Sequence, residues 1–246
     1  MEDGIEVKLN PLVKYENNSY YLGEWNPANN TRHGRGILVW EDKSKFRGYF
    51  KNDLANGKGK LEHQNGDYYD GEWKDDKIEG KGTFFHEDGS KYIGEWKNDK
   101  QDGQGIESWP DGSVYKGEYK EGQKSGEGEF KWPDGSEYKG HFENNCFNGK
   151  GTFTWKDKRV YEGDWVNNKM EGKGIFKWPD GRVYEGEYKN DKKEGYGEFE
   201  WADGRKYKGN WKNGKQHGEG EHCPSNGKIW RKGVWENGKR IQWIKE

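Results

Sequence analysis

Aliphatic side chains are scarce in this chain. Leu, Ile, Val and Phe together number 33 of 246 residues, well under the fifth below which chains tend to disorder. That excludes an ordinary globule built on an aliphatic core. No run of 18 apolar residues occurs, which excludes a transmembrane helix. The start, Met1-Glu2-Asp3-Gly4, is acidic and no apolar stretch follows it, so no signal peptide is expected. The two glycosylation sequons, Asn17-Asn18-Ser19 and Asn29-Asn30-Thr31, then read as chance. Two cysteines, Cys146 and Cys223, are too few for a disulfide framework, and the expected setting is reducing and intracellular. The formal net charge is only -2, so no nucleic-acid partner is expected. Prolines number six, half of them in one recurring turn.

Two residue classes fill the gap. The chain holds 14 Trp, 15 Tyr and 10 Phe, matched by 39 Gly. Disordered chains are poor in large rings. The rings and glycines also recur in order. Tyr69-Asp70-Gly71-Glu72-Trp73 returns as Tyr92-Ile93-Gly94-Glu95-Trp96, Tyr115-Lys116-Gly117-Glu118-Tyr119, Tyr161-Glu162-Gly163-Asp164-Trp165, Tyr184-Glu185-Gly186-Glu187-Tyr188 and Tyr207-Lys208-Gly209-Asn210-Trp211, with Phe46 and Tyr138 opening two more copies. From Phe46 to Tyr207 the period is 23 residues without a slip. Tyr21 opens a first unit of 25 residues, and Gly233 and Trp235 belong to a truncated tenth.

Numbering each unit from its opening ring puts glycine at positions 3, 12, 14 and 21, as at Gly117, Gly126, Gly128 and Gly135. Rings fall at positions 1 and 5, and often at 16 and 18, as in Phe130/Trp132 and Phe176/Trp178. Spacings of two are strand alternation. The intervening positions are mostly Lys, Glu, Thr or Arg, which suits a solvated face. Lys-Asn-Asp-Lys between the runs and Trp-Pro-Asp-Gly after them are turn compositions. Each unit therefore predicts one β-hairpin. A lone hairpin buries too little to be stable, whereas stacked ones share a ring-lined layer. The fold class expected is all-β: an elongated, twisted solenoid of stacked hairpins, on the order of 90–100 Å long at ~4.8 Å per strand. Residues 1–20, with Ile5, Val7 and Leu9 alternating, read as an N-terminal cap; residues 21–229 hold nine repeats; residues 230–246 hold a partial repeat and a cap at Ile241–Ile244.

The pairing expected sets positions 1–6 against 13–18, so that each ring at 5 or 16 opposes a glycine. In the fifth unit this places Gly117 against Phe130 and Gly128 against Tyr119. The structural core so defined comprises Tyr92, Gly94, Trp96, Gly103 and Gly105; Tyr115, Gly117, Tyr119, Gly126, Gly128, Phe130 and Trp132; and Tyr161, Gly163, Trp165, Gly172, Gly174, Phe176 and Trp178. A buried ring removes roughly 150–250 Å² from water, several kcal/mol gross at ~25 cal/mol/Å². Val at Gly94 or Gly117 is expected to be among the worst substitutions.

The string Tyr-Glu-Gly-Glu-Trp-Lys-Asn-x-Lys-x-x-Gly-x-Gly-x-Phe-x-Trp-Pro-Asp-Gly, carried nearly throughout by Tyr161–Gly181 and Tyr184–Gly204, resembles the MORN repeat (membrane occupation and recognition nexus). The resemblance covers about residues 21–240. It implies a curved β-solenoid and a non-catalytic scaffold in cytoskeletal and ciliary structures, such as radial spoke heads or the apical and basal rings of protists. Other members sit beside catalytic domains in lipid kinases and SET-domain methyltransferases, or tie membranes together in junctophilins. Some form homodimers, some bind a partner helix along the concave groove, and phosphoinositide binding has been proposed. The departures here are the long first unit, Glu107 at position 16, His63 and His86 at position 18, and His222-Cys223-Pro224 in the ninth unit.

No catalytic, cofactor or metal site is expected. Gly-x-Gly pairs such as Gly149-Lys150-Gly151 lie inside strands, with no helix or Walker lysine after them. His63 and His86 fall ~10 Å apart on this spacing, too far to share a zinc, and read as ring substitutes. Cys146 and Cys223 fall ~30 Å apart and read as free thiols. The lysines of position 6 (Lys51, Lys74, Lys97, Lys120, Lys189, Lys212) fit either a solvated salt-bridge ladder or a weak contact with anionic lipid. Position 10 is usually polar (Gln101, Lys124, Lys193, Gln216) but apolar at Ile78, Phe147 and Met170, with Leu54 and Ala55 in the second unit. Two readings stand for Leu54, Ile78, Phe147 and Met170: the tip folds back and buries them, or they touch another chain.

The functional expectation is a scaffold that binds protein partners in a ciliary or cytoskeletal assembly, cytoplasmic, and at the axoneme if the organism is ciliated. The alternatives are a peripheral membrane adaptor that reads phosphoinositides and a regulatory subunit of a separate kinase. A homodimer fits a sheet with open ends.

Overall fold

The structure, a computed structural model, describes residues 7–225 and 229–244; Ile5 of the expected cap lies outside them. The described residues form 22 strands and no helix. The chain divides into two compact units, residues 1–123 and 124–246. The first holds β1 (Lys8–Leu9), β2 (Val13–Lys14), β3 (Tyr20–Asn26), β4 (Thr31–Val39), β5 (Lys45–Lys51), β6 (Leu54–Glu62), β7 (Tyr68–Lys74), β8 (Lys77–Phe85), β9 (Lys91–Lys97), β10 (Lys100–Ser108) and β11 (Val114–Lys120). From the boundary onward come β12 (Gln123–Lys131), β13 (Glu137–Glu143), β14 (Cys146–Thr154), β15 (Val160–Val166), β16 (Lys169–Lys177), β17 (Val183–Lys189), β18 (Lys192–Glu200), β19 (Lys206–Lys212), β20 (Lys215–Cys223), β21 (Arg231–Glu236) and β22 (Lys239–Trp243). Within each unit, successive strands from β3 to β11 and from β12 to β22 pair antiparallel as an up-and-down meander. Short β1 and β2 both pair with β3, and β22 pairs with β21.

The register differs from the expected one. Glycine faces glycine: Gly94 stands opposite Gly105, and Gly105 opposite Gly117 on the next strand. Likewise Gly128 faces Gly140, which faces Gly151. Rings face rings, as in Tyr138 opposite Phe153 and Tyr161 opposite Phe176. The cause lies at the hairpin tip. Asn98 and Asp99 both have positive φ, 47° and 65°, which makes a two-residue turn that matches the strand twist. It pairs Lys97 with Lys100 and Trp96 with Gln101. A bulge at Gly103 (φ 103°) then shifts the pairing before Gly105 meets Gly94.

The bulge explains three columns at once. Glu95, opposite it, loses its partner on β10, and its carbonyl accepts the Tyr92 hydroxyl at 3.0 Å. The same bond joins Tyr69 to Glu72, Tyr161 to Asp164 and Tyr184 to Glu187. The ring that reaches there lies across both glycines of its own hairpin. A Cβ on Gly105 would stand 2.4 Å from Tyr92 Cε2, and one on Gly94 would meet the Tyr92 hydroxyl at 2.4 Å and the Gln104 carbonyl at 2.6 Å. Rings do lie over bare backbone, but the ring is the one at position 1, reaching diagonally. These opening tyrosines are fully buried. They pack edge-to-face with the position-5 rings of their own and the next hairpin, as Tyr69 does with Trp73 and Trp96 at 5.3 and 5.4 Å. Trp73 and Trp96 also donate their indole N–H to the glycine carbonyls of the preceding hairpin, Gly59 and Gly82, at 2.9 and 3.3 Å.

Candidate functional site: the ring-bearing face

Within each unit the rings of positions 1, 5, 16 and 18 share one face with position 10. Position 10 is therefore a strand residue rather than a loop residue: Ile78 pairs with Trp73, Phe147 with Phe142, Met170 with Trp165 and Lys193 with Tyr188. Its backbone is held by the next turn. The Asp191 carboxylate accepts the Met170 N–H at 2.8 Å, and the Asp191 N–H returns a bond to the Met170 carbonyl at 3.1 Å. Asn168 does the same for Phe147. Ile78, Phe147 and Met170 are half-buried. Leu54 stands at a tip opposite Lys51 and is exposed.

At Phe147 and Lys193 the position-10 side chain enters a socket walled by four rings. Phe147 stacks on Tyr138 at 3.8 Å and touches Phe153 of its own hairpin, Trp132 before it and Trp165 after it. Lys193 occupies the same place two repeats on. Its ammonium lies 4.7 Å from the Tyr184 ring, 4.4 Å from Phe199, 5.0 Å from Trp178 and 4.9 Å from Trp211. Burial outweighs that attraction and pushes its pKa down to about 8, with Arg182 adding repulsion. Sequence reasoning grouped Lys193 with the polar residues of position 10; its place in the column of Phe147 and Met170 was the available signal.

Along the second unit the rings of positions 16 and 18 form a staircase. Phe130 meets Trp132, Trp132 meets Phe153, Trp155 meets Phe176 and Trp178 meets Phe199, at centroid distances of 4.4 to 5.7 Å. Trp132, Trp155, Trp178 and Trp201 are half-buried. A guanidinium lies over three of them: Arg159 over Trp155, Arg182 over Trp178 and Arg205 over Trp201. Each of these arginines is fixed 2.8 Å from an aspartate oxygen two residues before it. Where the ring column breaks, Glu107 accepts the Tyr119 hydroxyl at 2.8 Å, and His86 packs on Phe84 at 4.6 Å.

Four of the position-6 lysines face like charges across the tip instead of forming rungs of the expected ladder. Lys74, Lys97, Lys189 and Lys212 stand opposite Lys77, Lys100, Lys192 and Lys215. The tight turn, by pairing positions 6 and 9, brings like charges together. Several ion pairs lie on the opposite face, as in Lys45 and Lys60 with Glu62, or Lys139 with Glu137. Cys146 is half-buried and Cys223 buried, both as free thiols. Among the described residues no group of three His, Cys, Asp or Glu could hold a metal ion.

The MORN repeat family matches nine segments, residues 21–45, 46–68, 69–91, 92–114, 115–137, 138–158, 161–181, 184–204 and 207–228. No curated protein matches. Among solved structures, the chain is similar to the wild-type TCP10 domain of Danio rerio CPAP in complex with a peptide of Danio rerio STIL. The TM-score is 0.51 at 13% identity, over 96% of this chain and 99% of that one. The SAS-4 (dCPAP) TCP domain of Drosophila melanogaster, in complex with a proline-rich motif of Ana2 (dSTIL), aligns with a TM-score of 0.42 at 15% identity, over 74% of this chain and 97% of that one.

Proposed function

The chain belongs to the MORN-repeat family, and from that premise we propose that it is a non-catalytic scaffold that docks protein partners on the ring-bearing face. The observation that carries this reading is the staircase of half-buried tryptophans, Trp132 to Trp201, ranged along one face of the second unit. Rings on a rigid sheet are low-entropy anchors, and they dominate protein interfaces. The fold likeness to a TCP10 domain solved with a peptide supports the reading at the level of a sheet that presents a surface to a peptide. Ile78, Phe147 and Met170 would widen the contact from the sockets, and Leu54 from a tip. Within this proposal the assembly is cytoskeletal, at the axoneme in a ciliated organism, with radial-spoke-like proteins as the family precedent. Affinity purification from native cells, followed by mass spectrometry, tests it. Trp155→Ala with Trp178→Ala should lose partners that the unaltered chain retains; an unchanged partner list refutes the docking face.

A second reading, contact with an anionic membrane, draws on the lysine pairs at the tips, Lys97 with Lys100 and Lys189 with Lys192. Sedimentation with phosphoinositide vesicles, repeated at raised salt, tests it: binding that does not weaken with salt is not a headgroup contact.

A further inference from the structure

The repeat builds one socket many times and plugs it with different side chains. The eighth repeat plugs it with Lys193, held between Trp178, Tyr184, Phe199 and Trp211. The corresponding walls in the second repeat are Trp40, Phe46, Leu61 and Trp73, and the residue in the plug position, paired with Phe50, is Ala55. A methyl group cannot fill a space that elsewhere takes a lysine or a phenylalanine. A cavity of about 670 Å³ runs from Tyr15, Asn17 and Ser19 past Leu38 to this position, and all four walls line it.

The rim of this cavity is acidic. Asp53 and Asp76 both line it, as does Arg32. Arg32 is committed to Asp53, with its Nε 3.2 Å from Asp53 Oδ1, and its guanidinium lies over the Phe50 and Tyr21 rings. Asp76 accepts the Ala55 N–H at 2.6 Å through one oxygen. Its charge is the excess at the rim. The turn that follows the eighth repeat has Gly214 where the turn that follows the second has Asp76, so the caged lysine there lacks the counter-charge that the Ala55 socket offers.

We propose that the Ala55 socket is a docking site for a lysine side chain of a partner protein. The stem would pack between Trp40, Phe46, Leu61 and Trp73, and the ammonium would meet the ring faces and the Asp76 carboxylate. Lys193 is the internal template for the guest. The inference deepens the scaffold reading and rests on it only for the source of the lysine.

The test uses the full chain with two small probes, N-acetyl-lysine N′-methylamide and N-acetyl-norleucine N′-methylamide, followed by the indole N–H resonances of Trp40 and Trp73. The lysine probe should shift both resonances and bind at least about threefold tighter than the norleucine probe. Asp76→Asn should erase about that preference. Ala55→Met or Ala55→Phe, which supply the plug from within as Met170 and Phe147 do, should abolish the shifts and keep a cooperative melt. No shift at these indoles, equal binding of the neutral probe, or undiminished binding in a plugged variant overturns the proposal. Unfolding of both plugged variants overturns it too, because the socket would then have no room for a guest. The two levels separate cleanly. Native partners retained by Ala55→Met reject the socket and leave the scaffold reading standing. Lysine binding by a chain that captures no native partner rejects the scaffold reading and leaves the socket.

Discussion

Gly105→Ala should be costly for one geometric reason, and a double-mutant cycle can isolate it. The new Cβ would stand 2.4, 2.5 and 2.6 Å from Cε2, the hydroxyl oxygen and Cζ of Tyr92. Ordinary carbon contacts begin near 3.5 Å, so the ring must retreat by about 1 Å. It is fully buried and wedged edge-to-face against Trp96 and Tyr119, both at 5.1 Å. Its hydroxyl would also leave the Glu95 carbonyl. Overpacking of this kind with one lost hydrogen bond costs about 2–4 kcal/mol. Tyr92→Ala alone should cost about 3–5 kcal/mol. In the double variant the clash is gone. Gly105 has no left-handed φ that an alanine would strain, and alanine holds an extended strand better than glycine by about 0.5–1 kcal/mol. The pair should therefore be no less stable than Tyr92→Ala. The assay is urea unfolding, with hydrogen exchange across the β9–β10 hairpin because repeat arrays need not melt in one step. Costs that simply add would refute the idea that the tyrosine ring is why this column is glycine.

Tyr161→Phe should destabilise by about 1 kcal/mol in the same assay, because it removes the hydroxyl that the Asp164 carbonyl accepts at the bulge; the native Phe46 shows that the shape is tolerated. Lys193 gives a pH signature. Its folded pKa of about 8 is below the unfolded value near 10, so between those limits the unfolded chain holds the extra proton and stability rises with pH. Relative to Lys193→Met, the native chain should gain about 2 kcal/mol from pH 7 to pH 10, read as the difference between two melting curves; a parallel pair of curves refutes the caged amine. Phe147→Ser should lower the melting temperature as well as any partner affinity, since the ring is stacked on Tyr138; a variant as stable as the native chain would return Phe147 to the surface.

Particular columns show how much could be read in advance. Position 1 announced itself by its 23-residue period, and the paired runs of alternation made each unit a hairpin. Asn98-Asp99 was legible as a turn, but not as one that closes on two residues. The register was misjudged for that reason: a turn tighter than its composition suggests, followed by a bulge, moves every later pairing by the same amount. Lys193 and Ala55 were passed over because each looks ordinary alone. Only the register places them opposite position 5, inside a box made by three different hairpins.

The sequence by itself determined the period, the strand content, the hairpin unit and the choice of rings over aliphatics as the buried material, because these follow from local spacing and from what a half-buried strand can hide. Tertiary structure decided which ring covers which glycine, that like-charged lysines meet at the tips, and that position 10 is a socket. Those outcomes depend on a left-handed glycine at each bulge and on contacts between consecutive repeats, and neither is encoded in the residues of a single strand.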